Sequence, residues 1–382
     1  MQYKVDASRG QNVDRVNAEW AKRADDERFL DLDSLYRHTK LAADESHADT
    51  FAPVDFGIQV QDEQLRIALG DVAVAPTHHS FGRLCNMAKV PASYLRQPDV
   101  PPALAAACLR NGLVRGDQDV VQAYIRDGSL SHLRALTSPS YGRIYDHEVV
   151  AAVQKVAGNG TGDTRWKVPG VLDWGTMTYH TEQTITKQNT TLYASDRDVF
   201  LFLVDDRNPI EVGTLRDGSP DMMFRGFYVW NSEVGERTFG VATMYLRAVC
   251  MNRNLWGVED FNEVTIRHTA GAPDRFVESV LPALEAYAEG NTTKVVQGVK
   301  AAKLLTVASD DDERIDFLGR FDIGRNVARD MIAVAELEEE RKPESAWDMA
   351  QAVTAYSRRI VHQDDRTTME KVSGKILDLA AA

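Results

Sequence analysis

The chain has 382 residues, of which 43% are hydrophobic and 26% are charged, a balance typical of a globular protein with one to three domains. Its formal net charge of -13 at pH 7 argues against a general polyanion binder, although a local basic face can still bind nucleic acid. The three cysteines are too sparse for a disulfide framework, and no apolar run is long enough to span a membrane. The polar N-terminus argues against a secretory signal, so we expect a cytoplasmic protein without membrane contact.

The first half of the chain shows two hairpin patterns. Residues 1–55 are polar with mixed charge and helical runs, and we interpret them as an N-terminal arm. In residues 57–69, "GIQVQDEQLRIAL" alternates with a period of two around a polar turn. In residues 118–138, two alternating runs flank Asp127-Gly128, a pair that suits a type I′ turn. Both segments are therefore predicted to be hairpins.

Between these hairpins, "SFGRLCNMAKVPASYLRQP" predicts a helix, a turn and a short second helix. This rhythm is that of a helix-turn-helix motif, in which the second helix reads the major groove. The second helix has only about six residues before Pro98, and Ser93, Tyr94 and Arg96 do not form a base-reading cluster. A packing element is the favoured interpretation.

A third helix is predicted in "YDHEVVAAVQKVAGNG", with Asp146 as its N-cap and the glycine run 158–160 as its end. The glycines of "AGNGTGD" raise the alternative of a phosphate loop. Such a loop precedes a helix and ends in a Lys-Ser/Thr pair, whereas here the glycines follow a helix and the pair is absent. A helix stop is favoured.

Strands dominate from residue 166 to about residue 246, and "MMFRGFYVWN" is predicted to pair with "ERTFGVATMYLRAV". Helices dominate after residue 273. The predicted fold class is α+β, a mostly antiparallel β-sheet with inserted helices followed by a helical C-terminal region. The predicted divisions are an arm (1–55), an α+β core (56–290) and the helical region (291–382).

No set of residues forms a recognisable catalytic motif, and the nine histidines show no metal-ligand spacing. His78 and His79 are adjacent, and neighbouring side chains on a strand or loop point apart, so the pair is not expected to chelate one metal ion. Asp205-Asp206 ends a strand, where solvated acids are common, and only as the weakest hypothesis would it hold a divalent ion for an enzyme. We therefore predict no catalytic residues, no metal and no cofactor.

The stretch 227–257 combines aromatic rings, amides and guanidiniums. Strand alternation places Tyr228 with Trp230, and Arg237 with Arg247. If rings and guanidiniums share one open sheet face, they can stack bases and hold the phosphates of a single strand. The alternative is that the rings fill a core while the arginines pair with Glu233, Glu236 and Glu263, and spacing alone favours this core.

Several motifs resemble the phage/plasmid-like protein family, a domain of unknown function (number nine-three-two): "NSEVG", then "RAVCMNRNLWG", then "IRHT". The resemblance extends to "VPASYLRQ" upstream and to "AWDMAQAVTAYSRR" and "EKVSGKIL" downstream, over roughly residues 75–380. Arg253 stands where the family usually has Gly after the Asn. Membership implies a phage, prophage or plasmid origin.

A second segment, "LTSPSYGRIYDHEVVAAVQKVAGNGTGDTRWKV", is similar to the opening of the annealing-protein domain of the Rad fifty-two type. RecT-like and Rad-type phage annealing proteins share a sheet-plus-helix plan and form rings or filaments on single-stranded DNA. The resemblance therefore implies a phage-type DNA recombination protein that binds single-stranded DNA and promotes annealing as a homo-oligomer, without a nucleotide cofactor.

For this hypothesis the predicted DNA track has three parts. Arg225, Arg237, Arg247 and Arg253 would neutralise phosphates, Tyr228 and Trp230 would stack bases, and Lys167 and Arg143 would extend the track. The alternative hypothesis is a phage interaction or counter-defence protein with no DNA-binding role. Its C-terminal helices would bind a host or phage protein, and the arginines would be structural.

Overall fold

The structure is a computed structural model that describes residues 24–116, 120–168, 190–205, 207–215, 218–247, 263–290, 292–360 and 363–381, with the short segments 2–4, 172–173, 178–180, 184–188 and 253–254. The protein is α+β, as the sequence predicts, with mostly antiparallel sheets and helices in the C-terminal region.

The strands are β1 (Gln2–Lys4), β2 (Arg28–Phe29), β3 (Ser46–Phe51), β4 (Gly57–Gln61), β5 (Gln64–Leu69), β6 (Val72–Pro76), β7 (Val121–Arg126), β8 (His132–Thr137), β9 (Trp166–Lys167), β10 (Leu172–Asp173), β11 (Thr178–His180), β12 (Leu192–Ala194), β13 (Val199–Asp205), β14 (Ile210–Thr214), β15 (Pro220–Asn231), β16 (Phe239–Arg247), β17 (Arg253–Asn254) and β18 (Glu263–Ile266). The α-helices are α1 (Leu32–Asp44), α2 (His78–Met87), α3 (Ala92–Leu95), α4 (Pro102–Leu113), α5 (Asp146–Ala157), α6 (Ala272–Glu289), α7 (Thr293–Leu304), α8 (Asp311–Gly319), α9 (Arg325–Glu339), α10 (Ala346–Ser357) and α11 (Gln363–Ala381).

Six strands form the first sheet, in the order β3-β7-β8-β6-β5-β4, and only β6 and β8 pair in parallel. Helices α2 and α4 pack against this sheet. Their side chains Leu84 and Leu109 share a buried core with Ile67, Ile125 and Leu136 of the strands.

Both predicted hairpins of the first sheet are present, but one has a different turn. β4 and β5 are joined by Asp62-Glu63, whose φ angles are 50° and 57°. β7 and β8 pair only as far as Arg126 and His132, which leaves the loop 127–131. The predicted type I′ turn at Asp127-Gly128 is wrong, because the last strand pair lies too far apart in sequence for a two-residue turn.

The second sheet has nine strands, with a main path of β17-β16-β15-β13-β12-β2 and with β14, β18 and β9 paired beside it. All its pairs are antiparallel. β15 and β16 pair as predicted, with Met223 opposite Arg247 and Trp230 opposite Gly240. Helices α1, α5 and α6 bury one face of this sheet in a shared core around Phe227.

Residues 24–55, most of the predicted N-terminal arm, are integrated into the two sheets. β2 pairs with β12 of the second sheet, and β3 pairs with β7 of the first. Between these strands, α1 buries Leu32 and Leu35 completely. The segment thus links the sheets and does not project from the molecule as a separate arm.

The helix predicted in residues 145–160 begins one residue earlier in the structure than the sequence predicts. The N-cap of α5 is Tyr145, and its backbone N–H donates to the Glu148 side chain at 3.4 Å, so Asp146 is the first helical residue. The helix ends as predicted, at glycines with positive φ (61° at Gly158 and 72° at Gly160).

The C-terminal helices α7 to α11 share a core with β14, built around Val212, Val299, Phe317 and Trp347. No helix within the described residues combines the length and the apolar character needed to cross a bilayer.

Candidate functional site

Two of the predicted arginines, Arg225 and Arg247, lie on the opposite face of the second sheet from the rings of Tyr228 and Trp230. Trp230 pairs with Gly240, and directly paired residues share a face. Tyr228 lies two residues before Trp230 and has the same orientation, whereas Arg225 is an odd number of residues from Trp230 and Arg247 an odd number from Gly240. For Arg225 and Arg247, the expected face shared with the rings is therefore wrong.

Neither ring is accessible to a base. Tyr228 is 0% exposed and Trp230 is 2% exposed, and the two rings stack with their centres 5.3 Å apart. Trp230 lies so close over Gly240 that a Cβ atom there would come within 2.0 Å of the indole ring. The rings are part of the sheet core.

Arg225 is buried against α6. Its side chain is 2% exposed, and its Nη2 atom donates to the carbonyl of Gly290 at 2.7 Å. The guanidinium carbon lies 4.9 Å from the centre of the Tyr287 ring. A phosphate cannot reach this group without opening the helix–sheet contact.

Arg247 lies in a buried ion-pair network. Its Nε and Nη2 atoms donate to the two carboxylate oxygens of Asp221 at 2.9 and 3.1 Å, and its Nη1 atom donates to Glu339 at 2.7 Å. Lys303 donates to Asp221 at 2.8 Å, and both cations lie over the Trp347 ring. The network borders a cavity of about 340 Å³ between β14, α7 and α10.

Arg237 and Arg143 are also held by protein partners. Arg237 lies 3.2 Å from a carboxylate oxygen of Asp198. Arg143 donates to the carbonyl of Glu233, and its guanidinium carbon lies 4.1 Å from the centre of the Tyr124 ring. Both arginines are structural contacts within the fold.

The remaining predicted positions do not complete a track. Lys167 is partly buried and donates to the carbonyl of Gly162 at 3.1 Å. Arg253 pairs through its backbone with β16, and its side chain lies outside the described residues. Asp205 is buried and pairs with Arg165 at 2.7 Å, while Asp206 lies outside the described residues. Among the described residues, no group of three or more His, Cys, Asp or Glu side chains is placed to hold a metal ion.

The "NSEVG" turn is a buried polar junction between the two sheets. Glu233 lies 2.6 Å from Arg134 of β8, and its side chain accepts the backbone N–H of Asp146 at 3.2 Å. Asn231 donates to the Asp146 carboxylate at 2.7 Å. His79 of α2 contacts the Val234 carbonyl at 3.1 Å. The motif thus ties β15 to the first sheet and to α5.

Two carboxyl groups at this junction have pKa values shifted in opposite directions. Burial raises the pKa of Asp146 well above its ordinary value, and Glu233 raises it further. A hydrogen bond with His79 lowers the pKa of Glu236, at an Nδ1–Oε2 distance of 2.5 Å. Both ring nitrogens of His79 face oxygen acceptors.

A different part of the molecule carries exposed positive charge. The helices α2, α3 and α4 with their connections, residues 77–115, form what we call the basic helical layer. It contains one acid, Asp99, and five cations, all of them exposed: Arg83, Lys89, Arg96, Arg110 and Arg115. The next acids, Asp117 and Asp119, lie outside the described residues. The layer is thus locally basic in a strongly acidic chain.

Four of these cations form no ion pair within the described part of the chain. Arg96 donates to the carbonyl of His78 at 2.6 Å and lies 5.5 Å from the Phe81 ring. The described hydrogen bonds of Arg110 and Arg115 go only to carbonyls of α4, at 3.3 and 3.1 Å. Arg83 has no hydrogen bond to a described residue. Their charges are therefore directed to solvent.

The three helices lie close enough for these charges to act together. Arg96 contacts α2 beside Gly82, where a Cβ atom would come 2.8 Å from its Nη2 atom. At the other end of α2, Ala88 packs on Gly112 of α4. Burial lowers the pKa of His78, and Arg96 and Arg197 lower it further, while Asp196 and Glu236 act in the opposite direction. Tyr94, on α3, is 49% exposed.

The sequence contained the signal for this layer, since five of the six charged residues in 77–115 are basic. The sequence interpretation, which relied on the ring-rich strands and the helix-turn-helix pattern, did not predict this layer. In the structure α3 has only four residues, which agrees with the interpretation of α2 and α3 as packing elements without a recognition helix.

No protein-family model, curated protein or solved structure matches this chain. The resemblances to the phage/plasmid-like family and to the annealing proteins therefore stay predictions.

Proposed function

We propose that the protein binds single-stranded DNA on the basic helical layer. The single observation that carries this proposal is the presence of five exposed cations with one acid in three packed helices and their connections. Phosphate contacts from such groups provide most of the affinity of non-specific nucleic-acid binding. The acidic remainder of the surface would restrict the polyanion to this layer.

Two features favour a single strand over a duplex. Tyr94, two residues before Arg96 in the sequence, presents a half-exposed ring, and a flexible strand can place a base on the ring while its phosphates contact cations of the layer. The layer also lacks a recognition helix long enough to enter a major groove, because α3 covers only Ala92–Leu95. The annealing-protein resemblance adds strand annealing by a homo-oligomer to the proposal.

The test is fluorescence anisotropy of a labelled single-stranded oligonucleotide across a salt series. Arg110→Gln/Arg115→Gln should weaken binding and reduce the slope of log affinity against log salt by roughly 0.7 for each lost phosphate contact. Within the described part of the chain both side chains bond only to carbonyls of α4, so the variant should remain folded. The matched control is Lys300→Gln/Arg329→Gln, which removes two exposed charges from α7 and α9.

Tyr94→Leu tests base stacking separately, because it keeps an apolar side chain while removing the ring. The expected loss is about 1–3 kcal/mol of binding free energy at every salt concentration. Equal affinity of the parent and both layer variants would overturn the proposal.

A second pair of measurements addresses annealing and assembly. Gel filtration with and without the oligonucleotide reports the oligomeric state, and quenching of complementary labelled strands reports annealing. A DNA-dependent oligomer that accelerates annealing would support the full proposal. A monomer that ignores DNA would favour the alternative, an interaction protein whose C-terminal helices bind another protein.

A further inference from the structure

A cavity of about 450 Å³ lies where α1, the start of α2, the ends of β7 and β8 and the turn after β12 meet. We call it the junction cavity. Its volume is in the range of small-molecule sites. It is separate from the exposed side chains of the basic helical layer, and four basic side chains line it: His38, Arg126, His132 and Arg134.

Arg134 forms the buried wall of this cavity. Its side chain is only 5% exposed, and its Nη1 atom lies 2.6 Å from Glu233 and 3.4 Å from the Ser46 hydroxyl. Its Nε and Nη2 atoms form no hydrogen bond within the described part of the chain. The guanidinium carbon also lies 5.1 Å from the centre of the Tyr124 ring. A buried guanidinium that lines a cavity and has unused donors favours an anionic ligand.

Arg126 supplies a second guanidinium at the same cavity. It is half-buried, and its Nε and Nη2 atoms donate to Glu45 at 2.9 and 2.7 Å. Its Nη1 atom has no hydrogen-bond partner among the described residues. Because Glu45 holds one edge of the guanidinium, the remaining donor is positioned in advance of binding.

Two imidazoles complete the basic lining. No ring nitrogen of His38 or His132 forms a hydrogen bond to a described residue. Burial lowers the pKa of His38, and Arg126 and Arg134 lower it further, while Asp26 acts in the opposite direction. The two guanidiniums therefore create a positive potential at this ring, which a bound anion would reverse.

Three acids also line the cavity. Asp26 is exposed, the side chain of Asp196 is 47% exposed and Glu27 is partly buried, whereas the side chain of Arg134 is almost fully buried. An anion at the buried wall would thus meet the cations first, and the acids would accept hydrogen bonds from hydroxyl or amino groups of the ligand that point outwards.

We propose that the junction cavity binds the phosphate group of a small phosphate monoester through Arg126, Arg134, His38 and His132. A monoester phosphate carries a charge of about −1.5 to −2 at pH 7 and has three terminal oxygens. The unused guanidinium donors and the two rings supply more donors than the two oxygens of a single carboxylate can accept, so the arrangement suits phosphate better.

Isothermal titration calorimetry with adenosine monophosphate, with adenosine as the uncharged comparison, tests this proposal on the full chain. The monophosphate should bind and adenosine should not. Arg126→Gln should weaken binding roughly tenfold or more, because it removes a charge-assisted hydrogen bond. Arg110→Gln, an equal charge change on the basic helical layer, should bind like the parent.

A second measurement does not depend on a variant that might misfold. In NMR titrations, saturating inorganic phosphate should raise the pKa of His38, since the anion offsets the nearby guanidiniums. Equal binding of monophosphate and nucleoside, equal affinity of Arg126→Gln and the parent, or a His38 titration that phosphate does not change would each overturn the proposal.

The source of the phosphate can be a free monoester or the end of a DNA strand. Tighter binding of a 5′-phosphorylated oligonucleotide than of its 5′-hydroxyl form, lost in Arg126→Gln, would identify a strand end. Adenosine monophosphate binding without that difference would identify a free monoester. Because Arg110→Gln/Arg115→Gln should affect only DNA binding, failure of the layer and failure of the cavity are distinguishable.

Discussion

Arg134 and Glu233 form a buried ion pair, with Nη1 and Oε1 2.6 Å apart, that joins β8 of the first sheet to the turn after β15 of the second. Both side chains are at most 5% exposed. Such a pair gains little over an apolar contact, but removing one partner leaves the other charge buried and uncompensated. The pair therefore fixes the position of β8 relative to the turn after β15.

Glu233→Gln should cost about 3–5 kcal/mol of unfolding free energy, because the amide cannot neutralise Arg134. Urea unfolding followed by circular dichroism measures the change. Glu336→Gln, at an exposed position of α9, is the control and should change the unfolding free energy by less than about 0.5 kcal/mol. A cost for Glu233→Gln as small as that of the control would contradict the role of the pair.

Gly240→Ala should destabilise the second sheet by about 1–3 kcal/mol or more, because its Cβ atom would lie 2.0 Å from the Trp230 ring, which is itself fixed by Tyr228. The change in Trp fluorescence during thermal unfolding measures the loss. Gly271→Ala is the matched control, since a Cβ atom there meets nothing within 4 Å. A Gly240→Ala protein as stable as the control would mean that the ring can move.

Trp230 and Arg247 show which features of the second sheet could be predicted from the sequence. Period-two alternation gave the orientation of residues within β15 and within β16, and the hairpin between them was predicted. The relation between the two strands depends on the register, which is set by the residues of the connecting turn. One register step decides whether Arg247 shares the sheet face of Trp230 or lies on the opposite face, and no local pattern fixes that step.

The partners of the buried charged side chains could not be predicted from the sequence for another reason. Arg247 binds Asp221, which is near in sequence, but also Glu339 of α9, which is 92 residues away. Pairs of that kind follow from the docking of the C-terminal helices on the sheet, and the composition of a segment does not reveal them. The basic helical layer is the opposite case, because exposure of cations on short amphipathic helices follows from local sequence.

The two described cysteines should differ strongly in reactivity. Cys85 is fully buried in α2, and burial raises the pKa of its thiol to about 11, whereas Cys108 of α4 is half-buried. At pH 8 roughly one Cys85 in a thousand is the reactive thiolate. In a Cys250→Ser background, iodoacetamide should label Cys108 first, as peptide mass mapping can show. Labelling of Cys85 at a comparable rate in the folded protein would contradict its burial.

The Asp221 network should make stability sensitive to acid. Burial by itself would raise the pKa of Asp221, but Arg247 and Lys303 together outweigh burial and hold this pKa below its ordinary value. A carboxyl group with a lower pKa in the folded state stabilises the protein fully above its unfolded pKa of about 3.9, and the contribution disappears as the pH falls through the folded value.

Asp221→Asn should therefore be less stable than the parent by about 3 kcal/mol at pH 7, with the difference shrinking steadily below about pH 4. Urea midpoints measured from pH 7 to pH 2 give both curves. Asp330→Asn removes an exposed carboxylate from α9 and should follow the parent at every pH. If the Asp221→Asn and parent curves stay parallel down to pH 2, the two cations do not stabilise the ionised carboxylate, because only a carboxylate that they favour in the folded state makes the difference depend on pH.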